Sequence, residues 1–141
     1  MDYKKTIKGR ITRKKADVLL KELLKRVEIV NKQKHWPNII KKVHVFGSYI
    51  NTTKEKIGDL DVMIVTDRKK NWDVLDKKYI AEQRKIKKFK SFIDQLFCPS
   101  EDMLKFIKNR SRGISLCGDR LNDFLKLDPK FKYKTVYDKE N

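Results

Sequence analysis

Between Thr12 and about Lys34, apolar residues recur along one face at helical steps: Ala16, Leu19, Leu20, Leu23, Leu24, Val27 and Val30. Lysines and arginines fill much of the other face. The pattern predicts an amphipathic helix packed on a sheet, with Thr12 as its N-cap. Trp36-Pro37 breaks it. Two short apolar runs with strand character follow, residues 42–47 and Leu60 to Thr66, separated by a polar loop, 48–58, too long for a tight hairpin turn. Asp67 to Asn71 reads as a turn, and a second helix is expected from Trp72 to about Lys87, its basic C-terminal half suited to the negative end of the helix dipole. Residues 89–97 fit either helix or strand; as a strand, Phe92, Asp94 and Leu96 share one face. Pro99 and Ser100 then start a third helix with Ser100 as N-cap. Ile114 to Cys117 is a short extended piece, 119–127 a last helical stretch, and the chain from Asp128 a polar, flexible tail. The order of elements describes an α/β (α+β) chain, a small mixed sheet flanked by helices, in one domain over residues 1–141 with a basic arm at 1–11.

Composition adds charge to this outline. The chain carries 36 Lys+Arg against 19 Asp+Glu, a formal net charge of +17. That excess favours polyanions, whether nucleotides, RNA, DNA or an anionic surface, without choosing among them. Lysines are scattered over the whole chain and also cluster at 4–15 and 83–90. Cys98 and Cys117 have no partner at zinc-ligand spacing, so a zinc site is not expected. No apolar run approaches a membrane span and no signal-peptide pattern opens the chain, so a cytoplasmic protein without a membrane partner is expected.

The candidate chemistry lies in residues 43–65. The first strand ends at Phe46-Gly47-Ser48, a turn that offers backbone N–H groups and a hydroxyl to phosphate oxygens, with glycine letting a ligand approach closely. A loop carrying Lys54 and Lys56 follows. The second strand opens with Asp59-Leu60-Asp61-Val62, and residues two apart on a strand share a face. Two carboxylates side by side repel, and burial beside a hydrophobic strand adds to the cost of each. A hard divalent cation such as Mg²⁺ relieves both penalties and completes its shell with water and substrate phosphates. His44, between apolar neighbours in the first strand, reads as structural.

Phe46-Gly47-Ser48 followed by Asp59-Leu60-Asp61-Val62 resembles the signature of the DNA polymerase beta-type nucleotidyltransferase superfamily. The short chain with a helix before the motif is similar to the minimal nucleotidyltransferases. The close match covers about 25 residues; the remainder agrees in element order. The resemblance implies a nucleotidyltransferase-like fold and an NTP substrate held at its phosphates by Gly47 and Ser48. It also implies two Mg²⁺ ions on Asp59 and Asp61, about 3.5–4 Å apart in sites of this type. Transfer of a nucleoside monophosphate to an acceptor, with loss of pyrophosphate, then follows. The family has a third carboxylate on a later strand; Asp94 is the first candidate, and the alternative stretch near Ile114 places Ser115 where an acid is wanted. The resemblance offers as acceptor a protein, such as the helical toxin of a toxin–antitoxin pair, or RNA; an aminoglycoside-like polycation ranks last. The competing expectation is a catalytically weak nucleic-acid-binding module on the same core.

Overall fold

A computed structural model describes residues 11–139. Ile11–Thr12 forms a two-residue strand, β1, and leads into helix α1 (Arg13–Lys32). Thr12 is the N-cap: its hydroxyl accepts the Lys15 N–H at 3.0 Å. The predicted stripe is the buried one, with Ala16, Leu19, Leu23, Val27 and Val30 all inside. Strand β2 (Asn38–Phe46) follows, then a single turn of helix, α2 (Ser48–Asn51), the short strand β3 (Lys56–Ile57) and strand β4 (Leu60–Arg68). Helices α3 (Trp72–Arg84) and α4 (Phe92–Lys108), strand β5 (Ile114–Cys117), helix α5 (Leu121–Leu127) and strand β6 (Tyr133–Asp138) complete the order.

The main sheet runs β5-β4-β2-β6, with β4 parallel to β5 and the other pairs antiparallel; β1 and β3 pair separately. This is the small mixed sheet flanked by helices that the sequence predicts. Strand alternation divides its two faces. Val43, Val45, Leu60, Val62, Ile64 and Ile114 pack with the buried stripe of α1 and with Met103 and Ile107 of α4. His44, Phe46, Asp61, Met63, Ser115 and Cys117 alternate with them and belong to the other face. Asn31 ties α1 to the sheet: its side chain donates to Ile40 O and the Tyr137 hydroxyl and accepts from Ile40 N–H, beside the bulge that follows Ile40.

Two expectations need correction, and one that the pattern leaves open is decided. Residues 92–97, which fit either helix or strand, are helical. Ser91 is the cap, its hydroxyl accepting the Asp94 N–H at 3.1 Å, and the helix continues through Pro99 instead of starting at Ser100. A proline inside a helix costs about 3 kcal/mol or more, here offset by burial of Cys98, Pro99, Met103 and Ile107 along one stretch. Phe92, Ile93, Leu96 and Phe97 keep helical spacing but remain exposed, which makes the segment equivocal by pattern alone. The chain after Asp128, expected to be a flexible tail, instead supplies edge strand β6, with Tyr137 opposite Val43 and Tyr133 opposite Phe46. The expected arm at 1–11 lies outside the described residues except for Ile11. Among the described residues no helix is long and apolar enough to cross a membrane.

Candidate active site

Gly47 turns the chain from β2 into α2 with φ +75° and ψ −153°, backbone geometry almost restricted to glycine. Its carbonyl accepts the N–H groups of Ile50 (3.0 Å) and Asn51 (2.8 Å). The first N–H groups of the turn, at Ser48 and Tyr49, have no acceptor within the helix, which makes them suitable for an anion. Ser48 Oγ accepts the Gly58 N–H at 3.0 Å, pinning the far end of the 48–58 loop. That bond uses a lone pair and leaves the hydroxyl proton available to a phosphate oxygen.

Asp61 lies directly across from Phe46 in the β2–β4 ladder, next to this turn. A Cβ on Gly47 would stand 2.1 Å from Asp61 Oδ2, so the carboxylate occupies the space that only glycine leaves open. Asp59 and Asp61 act on each other electrostatically. Desolvation first, and the Asp59 charge second, push the Asp61 carboxyl above its ordinary value. Phe46 supplies apolar surface on this face: it meets Phe124 and Phe131, each at 5.6 Å between centroids, and those two meet at 5.1 Å. Among the described residues no hydrogen bond or ion pair reaches either carboxylate. Two like charges placed this way, without a partner among the described residues, make a donor set that suits a hard cation. No group of three or more His, Cys, Asp or Glu side chains among the described residues is arranged to hold a metal ion. A cation held by the pair alone would need substrate oxygens or water to complete its coordination shell.

The other sequence candidate does not join them. Asp94 sits in the first turn of α4, exposed, beside a shallow hollow with Lys87, Lys88 and Glu101. Met103 and Ile107 of α4 pack on the face of the sheet opposite Asp61. The place across from Asp61 on β5 belongs to Ser115, exposed and in parallel register with it. Cys117, two residues along, feels burial first and the Asp61 charge second, both of which raise its thiol pKa.

Arg13 is a site residue that sequence patterns do not reveal. Its guanidinium donates Nη1 to Tyr49 O (2.8 Å), Nη2 to Thr52 O (2.8 Å) and Nε to Lys54 O (3.1 Å), clamping the loop that follows Gly47-Ser48. The Tyr49 hydroxyl adds a second tie to α1 by donating to Asp17. The only hint in the sequence is a basic residue one position after a helix cap. Arg13→Ala is expected to cost about 2–3 kcal/mol, as loss of hydrogen bonds from a charged donor does. Arg13→Lys should recover little of it, because an ammonium cannot span three carbonyls in a plane. Thermal unfolding of both variants tests this; full recovery by lysine would show that charge alone matters.

A Gly-Ser turn beside paired strand-end carboxylates on a small mixed sheet is the arrangement of nucleotidyltransferases. The model of the family described as nucleotidyltransferase domain matches residues 20–126, most of the chain, and the protein belongs to this family, within the polymerase beta-like superfamily. No curated protein and no solved structure matches the chain.

Proposed function

We propose that the chain transfers a nucleoside monophosphate from an NTP such as ATP to a protein or RNA acceptor, through the one domain read from its sequence. The observation that carries this reading is the contact of Gly47 with Asp61. One glycine both forms the turn suited to phosphates and makes room for the carboxylate that, with Asp59, suits a cation. In this reading the turn at Gly47 and Ser48 binds the outer phosphates and aligns the α-phosphorus with the strand end. Asp59 and Asp61 would hold Mg²⁺, two ions in the full arrangement, and Mg²⁺ when bound supplies charge neutralisation for the phosphates. The acceptor oxygen forms a bond to the α-phosphorus in line with the bridging oxygen. That P–O bond breaks, pyrophosphate leaves, and the acceptor's proton passes to solvent. Most of the catalysis is positioning and electrostatics.

The test is pyrophosphate release from labelled NTPs with Mg²⁺ over a panel of protein and RNA acceptors. Release that depends on Asp61 supports the reading, and its persistent absence over the whole panel overturns it.

One observation favours the second reading, a weakly catalytic nucleic-acid-binding module: Ser115, not an acid, faces Asp61 across β4 and β5. A serine there leaves proton removal from the acceptor to water. Ser115→Asp is therefore expected to raise transfer by about tenfold or more, toward the usual range for a positioned base, while Asp94→Asn leaves it unchanged. Single-turnover transfer by the two variants decides this, and a large loss in Asp94→Asn would return Asp94 to the site.

A further inference from the structure

On the helical side of the molecule, a hollow of about 590 Å³ opens between Trp36, Tyr79 and the C-terminal end of α4. Two kinds of side chain line it. Trp36, Tyr79 and Phe106 supply aromatic walls, and Phe106 is 37% exposed. Behind them the rings form a stack: Trp36 lies 5.3 Å from Tyr79, and His35 is nearly parallel to Tyr79 at 6.1 Å. Lys105, Lys108, Arg110 and Arg112 supply the charge. No ion pair or side-chain hydrogen bond engages these four cations among the described residues. Asp102, the acid of the hollow, is taken up by the Tyr79 hydroxyl at 2.7 Å and by Lys87 at 3.4 Å.

Lys105 and Lys108 are accounted for by the negative end of the α4 dipole. Arg110 and Arg112 are not, because they lie beyond the helix end. The backbone reaches them through two successive non-glycine residues with positive φ, Asn109 at 52° and Arg110 at 57°. Left-handed backbone costs a residue with a Cβ roughly 1–2 kcal/mol, and no side-chain hydrogen bond or ion pair of Arg110 or Arg112 among the described residues offsets it.

We propose that this hollow binds a single-stranded nucleic acid segment, with a base stacked on Phe106 and Tyr79 and flanking phosphates on Arg110, Arg112 and Lys108. Aromatic faces combined with uncompensated cations are what an unpaired strand requires, since every base has a π-face and every linkage a charge. None of the lining residues is shared with the Gly47–Asp61 site. The proposal stands whether or not the chain transfers nucleotides.

Fluorescence anisotropy of labelled oligouridylate across a salt series tests it. Arg110→Gln/Arg112→Gln should weaken binding and flatten the dependence of log K on log salt by roughly 0.7 for each phosphate that is no longer neutralised. Phe106→Ala, with a melting curve to establish folding, should weaken binding roughly tenfold while leaving the slope unchanged, as removal of one stacking platform does. Lys14→Ala/Lys21→Ala, which removes equal charge from exposed positions of α1, is the reference. If the arginine pair and Phe106→Ala weaken binding no more than the reference does, the hollow is not the site. Equal binding of inorganic polyphosphate, with Phe106→Ala neutral, would overturn base stacking and hence the proposal. Asp59→Asn/Asp61→Asn should retain oligonucleotide binding; its loss there would move the nucleic acid to the other site and also overturn the proposal. Oligothymidylate, run alongside, distinguishes DNA from RNA as the strand preferred.

Discussion

Gly47→Ala is expected to abolish transfer and to lower stability by several kcal/mol, a larger effect than alanine at Gly58, Gly113 or Gly118. Two costs combine. The backbone at φ +75° and ψ −153° is a region in which a residue with a Cβ pays about 1–3 kcal/mol. The added Cβ also falls 2.1 Å from Asp61 Oδ2 and 3.1 Å from its Cγ, so the carboxylate must leave its position or the turn must open. Either movement separates the Gly47-Ser48 turn from the acidic strand end. The two costs can be resolved with a second substitution. In Gly47→Ala/Asp61→Ala the overlapping Oδ2 and Cγ are gone, and the nearest atom that remains is Cβ, 3.5 Å away, an ordinary contact. The double variant should therefore recover the steric part of the drop in melting temperature and none of the conformational part, with transfer still absent. Strictly additive losses in the double-variant cycle would mean that the two residues do not share this space.

The contact between Gly47 and Asp61 also explains how much the sequence could reveal. A glycine at a strand end and two aspartates where the next strand begins are local patterns, and alternation alone leads one to expect both carboxylates on one face, although β4 itself begins at Leu60. That the glycine is required by the aspartate is a tertiary fact, dependent on the antiparallel register that sets Phe46 opposite Asp61. The long periodic stripe of α1 is legible because burial and spacing coincide there. Residues 92–97 are not, since their apolar side chains obey helical spacing but lie exposed, and Pro99, just beyond them in the same helix, imitates a boundary. The same ambiguity puts Asp94 in a strand that does not form. Strand β6 is hidden for the opposite reason. At the sheet edge, Tyr133, Lys134 and Thr135 are exposed, so its polar composition resembles a tail. Arg13 depends on acceptors distant in sequence, and no local pattern contains it; Asn109–Arg112 is legible as a basic cluster with forks suited to phosphates, but the walls of Trp36 and Tyr79 beside it are not.

Asp61→Asn should separate function from stability in opposite directions. Transfer is expected to fall by about 10³-fold, in the range for removing one preorganised electrostatic group. The fold, by contrast, should become no less stable in buffer containing EDTA, because the substitution removes a desolvated charge and its repulsion with Asp59. The sign follows from linkage. A carboxyl whose folded pKa is raised binds its proton more tightly in the folded protein than in the unfolded chain. Its contribution to stability is thus most favourable below the ordinary value and declines as pH rises through the raised one. At neutral pH, without a divalent ion, wild-type protein bears this penalty in full, and Asp61→Asn does not. Mg²⁺ should then raise the melting temperature of the wild type, through binding to the folded state alone, and raise that of Asp61→Asn much less. Melting curves at neutral and mildly acidic pH, with EDTA and with Mg²⁺, contain the whole test. Should Asp61→Asn melt lower than wild type in EDTA, the carboxylate would have a partner that stabilises its charged form. Should Mg²⁺ shift both proteins equally, the ion would bind somewhere other than the end of β4.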